Sequence, residues 1–148
     1  MNNIPQELYD QILQHMPIPC VDVAIVSKGT ILLVKRSDPP AKHEWWVPGG
    51  RVLKDEKMHE TAARKCLEEV GIDCHIGPIV HTAETIFPTG PNDIPVHSIN
   101  SCFLAYPKET VDRIVNLDNH SYDFKWVNSI LPELHDYVKE CLKGAGLR

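Results

Sequence analysis

The sequence predicts an α+β fold, one mixed β-sheet sandwich flanked by α-helices, and three observations carry that prediction. Apolar residues recur every four positions in three stretches and form strand-like runs between them, in the order helix, hairpin, strand, helix, strands, helix. The length of 148 residues suits one domain, residues 1–148, and not two. Hydrophobic residues make up 43% of the chain and charged residues 24%, interspersed, which supplies a core and excludes the composition of a disordered chain.

Leu8, Ile12 and Met16 lie four apart, with Ile4 extending the series backwards, and predict a short amphipathic helix over 5–15 that Pro17 and Pro19 end. The apolar runs 21–26 and 31–34, separated by Ser27-Lys28-Gly29-Thr30, read as a hairpin. After a loop carrying Pro39 and Pro40, Trp45, Trp46 and Val47 read as a short strand stopped by Pro48-Gly49-Gly50. Met58, Ala62, Cys66 and Val70 give one apolar face to a helix over 59–70, with Gly71 as its C-terminal stop. Extended segments follow over 74–87 and 96–106, joined by the proline-rich loop 88–95, and 124–127 reads as another strand. Leu134, Val138, Cys141 and Leu142 predict a closing helix after Pro132, with Gly144 beyond its end.

Twenty acidic against fifteen basic residues leave a net charge of −5, the wrong sign for coating nucleic acid. An anionic substrate must then be met by a few local cations or by a metal ion in an acidic pocket. Cys20, Cys66, Cys74, Cys102 and Cys141 form neither a CxxC pair nor zinc spacing, so they read as reduced, mostly core thiols. The N-terminal residues lack a basic flank and an apolar signal region, and no run approaches the roughly 18 to 20 apolar residues that span a bilayer. The expectation is a soluble, cytoplasmic protein without a membrane partner.

The informative stretch is Gly50, five residues, Glu56, seven residues, Arg64, then Lys65-Cys66-Leu67-Glu68-Glu69-Val70-Gly71-Ile72. Arg64 and Glu68 are i,i+4 partners on a helix, and carboxylates gathered at a loop-helix junction suit a hard cation such as Mg²⁺ or Mn²⁺. In isolation such a helix reads as a solvated face laced with ion pairs. The whole pattern resembles the Nudix box, G-x5-E-x7-R-E-U-x-E-E-x-G-U with U aliphatic. Six letters match at fixed spacing, a coincidence on the order of 10⁻⁷ per window at ordinary residue frequencies. The resemblance implies the Nudix fold, a hydrolase acting on a nucleoside diphosphate linked to another group, and Mg²⁺ as cofactor. Glu56 and Arg64 support the box. Lys65 departs from it, standing where the family usually has a metal-binding glutamate. A cation three and four residues from Glu68 and Glu69 pairs with them and repels a second metal ion. The departure points to about one metal and to a general base outside the helix.

A second resemblance, over most of the chain, is to the GDP-mannose mannosyl hydrolase branch. It is carried by Asp22, Lys35-Arg36, Pro40-Ala41, Trp45, Val47-Pro48-Gly49-Gly50-Arg51-Val52 and Lys54-Asp55-Glu56. That branch also lacks the first glutamate of the box, although it commonly lacks the equivalent of Glu68 too. The resemblance implies water attack at the anomeric carbon of a GDP-mannose- or GDP-glucose-like nucleotide sugar, with nucleoside diphosphate leaving. It implies Gly49, Glu68, Glu69 and Asn119 as metal ligands and His120 as general base, in the order Asn119-His120 before Trp126. Imidazole suits base work at neutral pH. Arg36 and Arg51, at the ends of strands facing the box, are the candidates to hold the diphosphate as catalytic and substrate-binding cations; each also reads as a surface charge. Asp22 lies on the strand face opposite Val21 and Val23, where a carboxylate is costly unless paired or turned to a pocket; the resemblance implies a sugar or base contact. His81, Glu84 and His97 are reserves.

His59-Glu60-Thr61-Ala62-Ala63 lacks the second histidine of a zinc-protease helix, Pro48-Gly49-Gly50 is neither a P-loop nor a dinucleotide fingerprint, and no G-x-S-x-G is present. Two alternatives stay open: cleavage of a phosphoanhydride by a Nudix pyrophosphatase, and a catalytically weak nucleotide-binding module. Many proteins of the resembling superfamily pair as homodimers, which the N-terminal helix would serve.

Overall fold

The structure, a computed structural model, describes residues 3–110 and 114–148. Helix α1 (Gln6–His15) begins after Pro5 and stops at an extended Met16, ahead of Pro17. Strands β1 (Ile18–Ser27) and β2 (Thr30–Arg36) form the expected hairpin. Ser27 pairs with Thr30 across a two-residue turn in which Lys28 and Gly29 both have positive φ, 52° and 75°, as the twist of a tight hairpin requires. Strand β3 is Trp45–Trp46, and β4 (Gly49–Arg51) follows at once.

Strand β4 corrects the expectation that Pro48-Gly49-Gly50 only ends a strand. Pro48 gives its carbonyl to the Val23 amide at 2.8 Å, and the chain then pairs antiparallel with β1, Cys20 to Arg51 and Asp22 to Gly49. No side chain fits at Gly49, and one at Gly50 would require the end of Lys65 to shift. A Cβ on Gly49 would collide with the Asp22 carboxylate, and one on Gly50 would lie 2.7 Å from Cε of Lys65.

Helix α2 (Met58–Val70) ends on Gly71 in the left-handed region, φ 70°, with the Ile72 amide donating back to the Cys66 carbonyl. Strands β5 (Cys74–Phe87) and β6 (Val96–Pro107) flank the predicted loop, which contains a single 3₁₀ turn at Pro91–Asp93. Strand β7 runs Ser121–Val127, three residues longer than the apolar pattern indicates, because its first half pairs with β2 although Tyr122, Asp123 and Phe124 stay exposed. Helix α3 (Asp136–Gly144) starts two residues after Leu134, where the His135 side chain accepts from the Tyr137 amide, and it includes Gly144.

The sheet is mixed, in the order β3-β2-β1-β6-β5, with β7 added beside β2. Strand β1 pairs in parallel with β6 from Ile18 to Ile25, but on its other edge the partner changes: β4 opposite residues 20–22, β2 only at Val26 and Ser27. Alternation along β1 sends Val21, Val23 and Ile25 to one face, against Ala62, Cys66 and Val70 of α2. Ala24, with Ile31, Leu33 and Cys102, belongs to the opposite core, closed by Tyr137, Val138, Cys141 and Leu142 of α3. No helix of the described residues is long and apolar enough to cross a membrane.

Candidate active site

Glu56 and Arg64 join the loop after β4 to α2. Arg64 donates from Nε to Glu56 Oε2 at 2.7 Å and from Nη2 to Glu56 Oε1 at 2.9 Å, and the same Nη2 reaches the Arg51 carbonyl at 3.1 Å. Glu56 Oε1 also accepts from the Thr61 hydroxyl at 2.6 Å and the Leu53 amide at 3.3 Å. The Arg64 hydrogen bonds hold the Glu56 carboxyl down at about 2, far below the ordinary carboxylate range. A carboxylate this saturated and this acidic is unsuited to take a proton at neutral pH. It fixes the position of Arg51.

Lys65 lies across Gly50 with its Nζ 3.4 Å from Glu68 Oε2 and 3.3 Å from Glu69 Oε1. Glu69 is buried, and its other oxygen accepts from the Gly49 amide at 3.0 Å; burial raises its proton affinity, and Lys65 opposes that rise. The end of α2 also positions the following segment. The Asn116 and Asp118 amides donate to the carbonyls of Val70 and Glu69, which brings the Asp118 carboxylate near Glu69 and leads the chain to His120.

Beside this network opens a cavity of about 640 Å³ lined from α1, β1, β2, β4, α2, β5 and β6. Asp22, Arg36, Gly49, Gly50, Arg51, Lys65, Glu69 and His120 all line it. Asp22 is buried and accepts from the Tyr137 hydroxyl at 2.7 Å; its carboxyl is pushed up to about 7, chiefly by burial, with Glu69 adding to the rise. The Arg36 guanidinium is anchored through Nε to the Pro40 carbonyl at 2.8 Å. Arg51 stacks its guanidinium 5.4 Å from the ring centre of Tyr9, which makes α1 part of the wall. At the rim, His120 Nδ1 meets Asp38 Oδ2 at 2.8 Å, with both side chains half exposed. In the neutral imidazole a carboxylate on Nδ1 favours the tautomer with the proton there and Nε2 as the acceptor.

Other expected residues lie apart. Asn119 is exposed and off the cavity wall, and Glu68 faces Arg64 and Lys65 rather than the cavity. Glu84 and His97 are exposed, and His81 packs near Tyr137. Trp46 is core, stacked on Tyr137, and also borders the cavity; Lys125 sits 4.2 Å above the ring of Trp45. Cys66, Cys74, Cys102 and Cys141 are buried and unpaired, while Cys20 lies at the cavity with its thiol pushed up to about 12 by burial and Asp22. Such a thiol is no nucleophile at neutral pH. The sequence reading missed Asp38, Asp118 and Tyr137, which carry no local pattern.

Glu68 and Glu69 offer the hard oxygen donors that a divalent cation takes. Among the described residues no three His, Cys, Asp or Glu side chains already converge as a metal seat, and the ammonium of Lys65 is the cation between Glu68 and Glu69. A divalent ion held by Glu68 and Glu69 would have to displace Lys65.

Residues 16–135 match the NUDIX domain family, and the chain belongs to that family. It is 30% identical over 140 residues to the low-salt glycan biosynthesis protein Agl8 of Haloferax volcanii, covering 94% of this chain and 88% of that one. Its fold is similar to the crystal structure of a MutT NUDIX hydrolase from Burkholderia pseudomallei, with a TM-score of 0.73, 22% identity and coverage of 88% and 98%. A MutT protein from Methanosarcina mazei Go1 gives 0.71, 25% identity and coverage of 87% and 93%.

Proposed function

We propose, from the premise of NUDIX family membership, that the chain is a single-domain hydrolase of a nucleoside-diphosphate sugar of the GDP-mannose or GDP-glucose kind. The observation that carries the reading is the grouping on one cavity of three cations, Arg36, Arg51 and Lys65, with the Asp38–His120 pair. The cations face a departing diphosphate. The pair faces water. In the proposed step His120 Nε2 takes a proton from water as its oxygen bonds to the anomeric carbon; the bond from that carbon to the β-phosphate oxygen breaks, and the electron pair leaves with the nucleoside diphosphate. Asp38 keeps the imidazole oriented and steadies its cationic form. Arg36 and Arg51 bind the leaving diphosphate through planar forks anchored by the Pro40 carbonyl and by Tyr9.

Glu68 and Glu69, with Gly49, would hold Mg²⁺ or Mn²⁺, which when bound adds positive charge to the diphosphate. The relative named for glycan biosynthesis is consistent with a sugar-bearing substrate. A second reading, attack at phosphorus, is favoured only by Glu69, a buried carboxylate of raised proton affinity in the cavity wall.

Hydrolysis of GDP-mannose, GDP-glucose and other nucleotide sugars with Mg²⁺ in ¹⁸O-water separates the two. Label in free sugar supports attack at carbon, and His120→Ala then lowers kcat by about 10²–10⁴-fold. Label in a phosphate product, with improved turnover in Lys65→Glu, supports attack at phosphorus. Nucleotide binding without turnover in either form identifies a binding module. A homodimer is part of the proposal, and a monomer in analytical ultracentrifugation at micromolar concentration would end it.

A further inference from the structure

Away from the cations, the cavity floor holds three buried polar side chains, Thr85 of β5 and Ser98 and Asn100 of β6, among apolar walls that include Leu13, Ile18 and Phe87. A buried polar group in such a setting is costly unless its hydrogen bonds are made, and here they are made among the trio and to the Ala83 carbonyl. Their directions can be fixed by counting protons. The Asn100 amide nitrogen lies 3.2 Å from the Ala83 carbonyl and 3.4 Å from the Ser98 carbonyl; neither carbonyl can donate, so that atom is nitrogen and the other is Oδ1. Ser98 must then donate its one hydroxyl proton to Asn100 Oδ1, at 3.0 Å. With that proton committed, Thr85 must donate to Ser98 Oγ across their 2.8 Å contact. Asn100 directs its remaining proton to Thr85 Oγ1 at 3.1 Å. Every side-chain proton of the trio is committed, three within it and one to the Ala83 carbonyl. What is left for a ligand is lone pairs alone.

We infer that this floor is the nucleobase-reading subsite and that it selects a base edge presenting N–H donors, of the amino and imide kind found on guanine. The inference rests on the reading that the cavity holds a nucleoside diphosphate. Register supports the placement: Arg51 pairs with Cys20, Cys20 with Asn100 and Asn100 with Ala83, so the floor is two to three strands from Arg51, about 10–14 Å. That distance leaves room for a ribose between base and diphosphate.

The test is equilibrium binding of three nucleoside diphosphates that differ in edge donors: GDP, IDP, which lacks the exocyclic amino group, and purine riboside diphosphate, which has no edge donor. Inorganic pyrophosphate serves as a probe of the cationic end alone. Affinity should fall in that order, by about 3- to 10-fold per step. Ser98→Ala frees the Thr85 proton to face the ligand, so the ratio between GDP and purine riboside diphosphate should flatten while pyrophosphate binds as before. Thr85→Val removes the Thr85 lone pair from the floor and should lower the same ratio, which keeps the test open if one variant folds poorly. Equal affinity for all three diphosphates in the wild type overturns the subsite while leaving nucleotide binding intact. So does a uniform loss, pyrophosphate included, in both variants. Failure of all three diphosphates and pyrophosphate to bind overturns the functional reading as well.

Discussion

Arg64 and Lys65 are neighbours on α2, each within reach of two carboxylates, and they are held in opposite ways. Arg64 donates to Glu56, Glu68 and the Arg51 carbonyl at 2.7 to 3.1 Å in a fork that fixes both distance and angle. Lys65 meets Glu68 and Glu69 at 3.3 to 3.4 Å as a point charge at the cavity wall. A planar guanidinium in a closed network is a structural tie, whereas an ammonium in loose ion contacts can exchange partners for a phosphate or yield its place to a metal. A single step along the helix thus separates charge that builds the site from charge that is loosely held beside it.

Three measurements bear on that contrast. The largest effect is expected in Arg64→Met, which strands the Glu56 carboxylate among donors now lost: about 2–3 kcal/mol of stability by urea denaturation, below the full cost of breaking a buried pair because both partners keep some solvent contact. A wild-type midpoint would show that the tie is decorative. Lys65→Ala should cost about 1–2 kcal/mol: it leaves the buried Glu69 carboxylate without its cation, but the lost contacts are long and the Gly49 amide still donates to that carboxylate. The same variant should bind Mn²⁺ on the order of tenfold more tightly by spin-resonance titration, since a resident positive charge has gone. An unchanged Mn²⁺ affinity would mean that Lys65 does not compete for the ion. The smallest effect is in acid. Glu56 binds protons less readily folded, at about 2, than its ordinary 4.5, so its stabilisation is complete above about 4.5 and is lost as pH falls toward 2. Glu56→Gln should flatten that part of the acid-unfolding curve; an identical slope in both proteins would place the acid sensitivity elsewhere.

The sequence made the helices legible because each buries one face, which imposes a four-residue repeat on α1, α2 and α3. It made the box legible because Glu56, Arg64, Lys65, Glu68 and Glu69 interact over short spacings. Strand β4 was hidden. Gly-Gly-Arg has no apolar alternation, and its pairing is decided by β1, a distant segment. Asp38 and His120 are 82 residues apart and meet only because the Ser37 amide donates to the His120 carbonyl and β7 returns beside β2. Thr85, Ser98 and Asn100 read as ordinary polar positions in alternating strands until the register of β5 on β6 sets them together. What is local in the chain was readable; what depends on register was not.

The change of partner along β1 also has a kinetic side. Its hairpin with β2 closes over a two-residue turn, whereas Ile18 finds Ser98 in parallel only after a long stretch of chain has been looped. Hairpins form in microseconds, and long parallel closures come later against a larger entropy cost. Asp22 on one side of the cavity and Asn100 on the other belong to those two different strands. The cavity is therefore a late product of folding, and a chain that has made every local element but not the β1–β6 seam has no site at all.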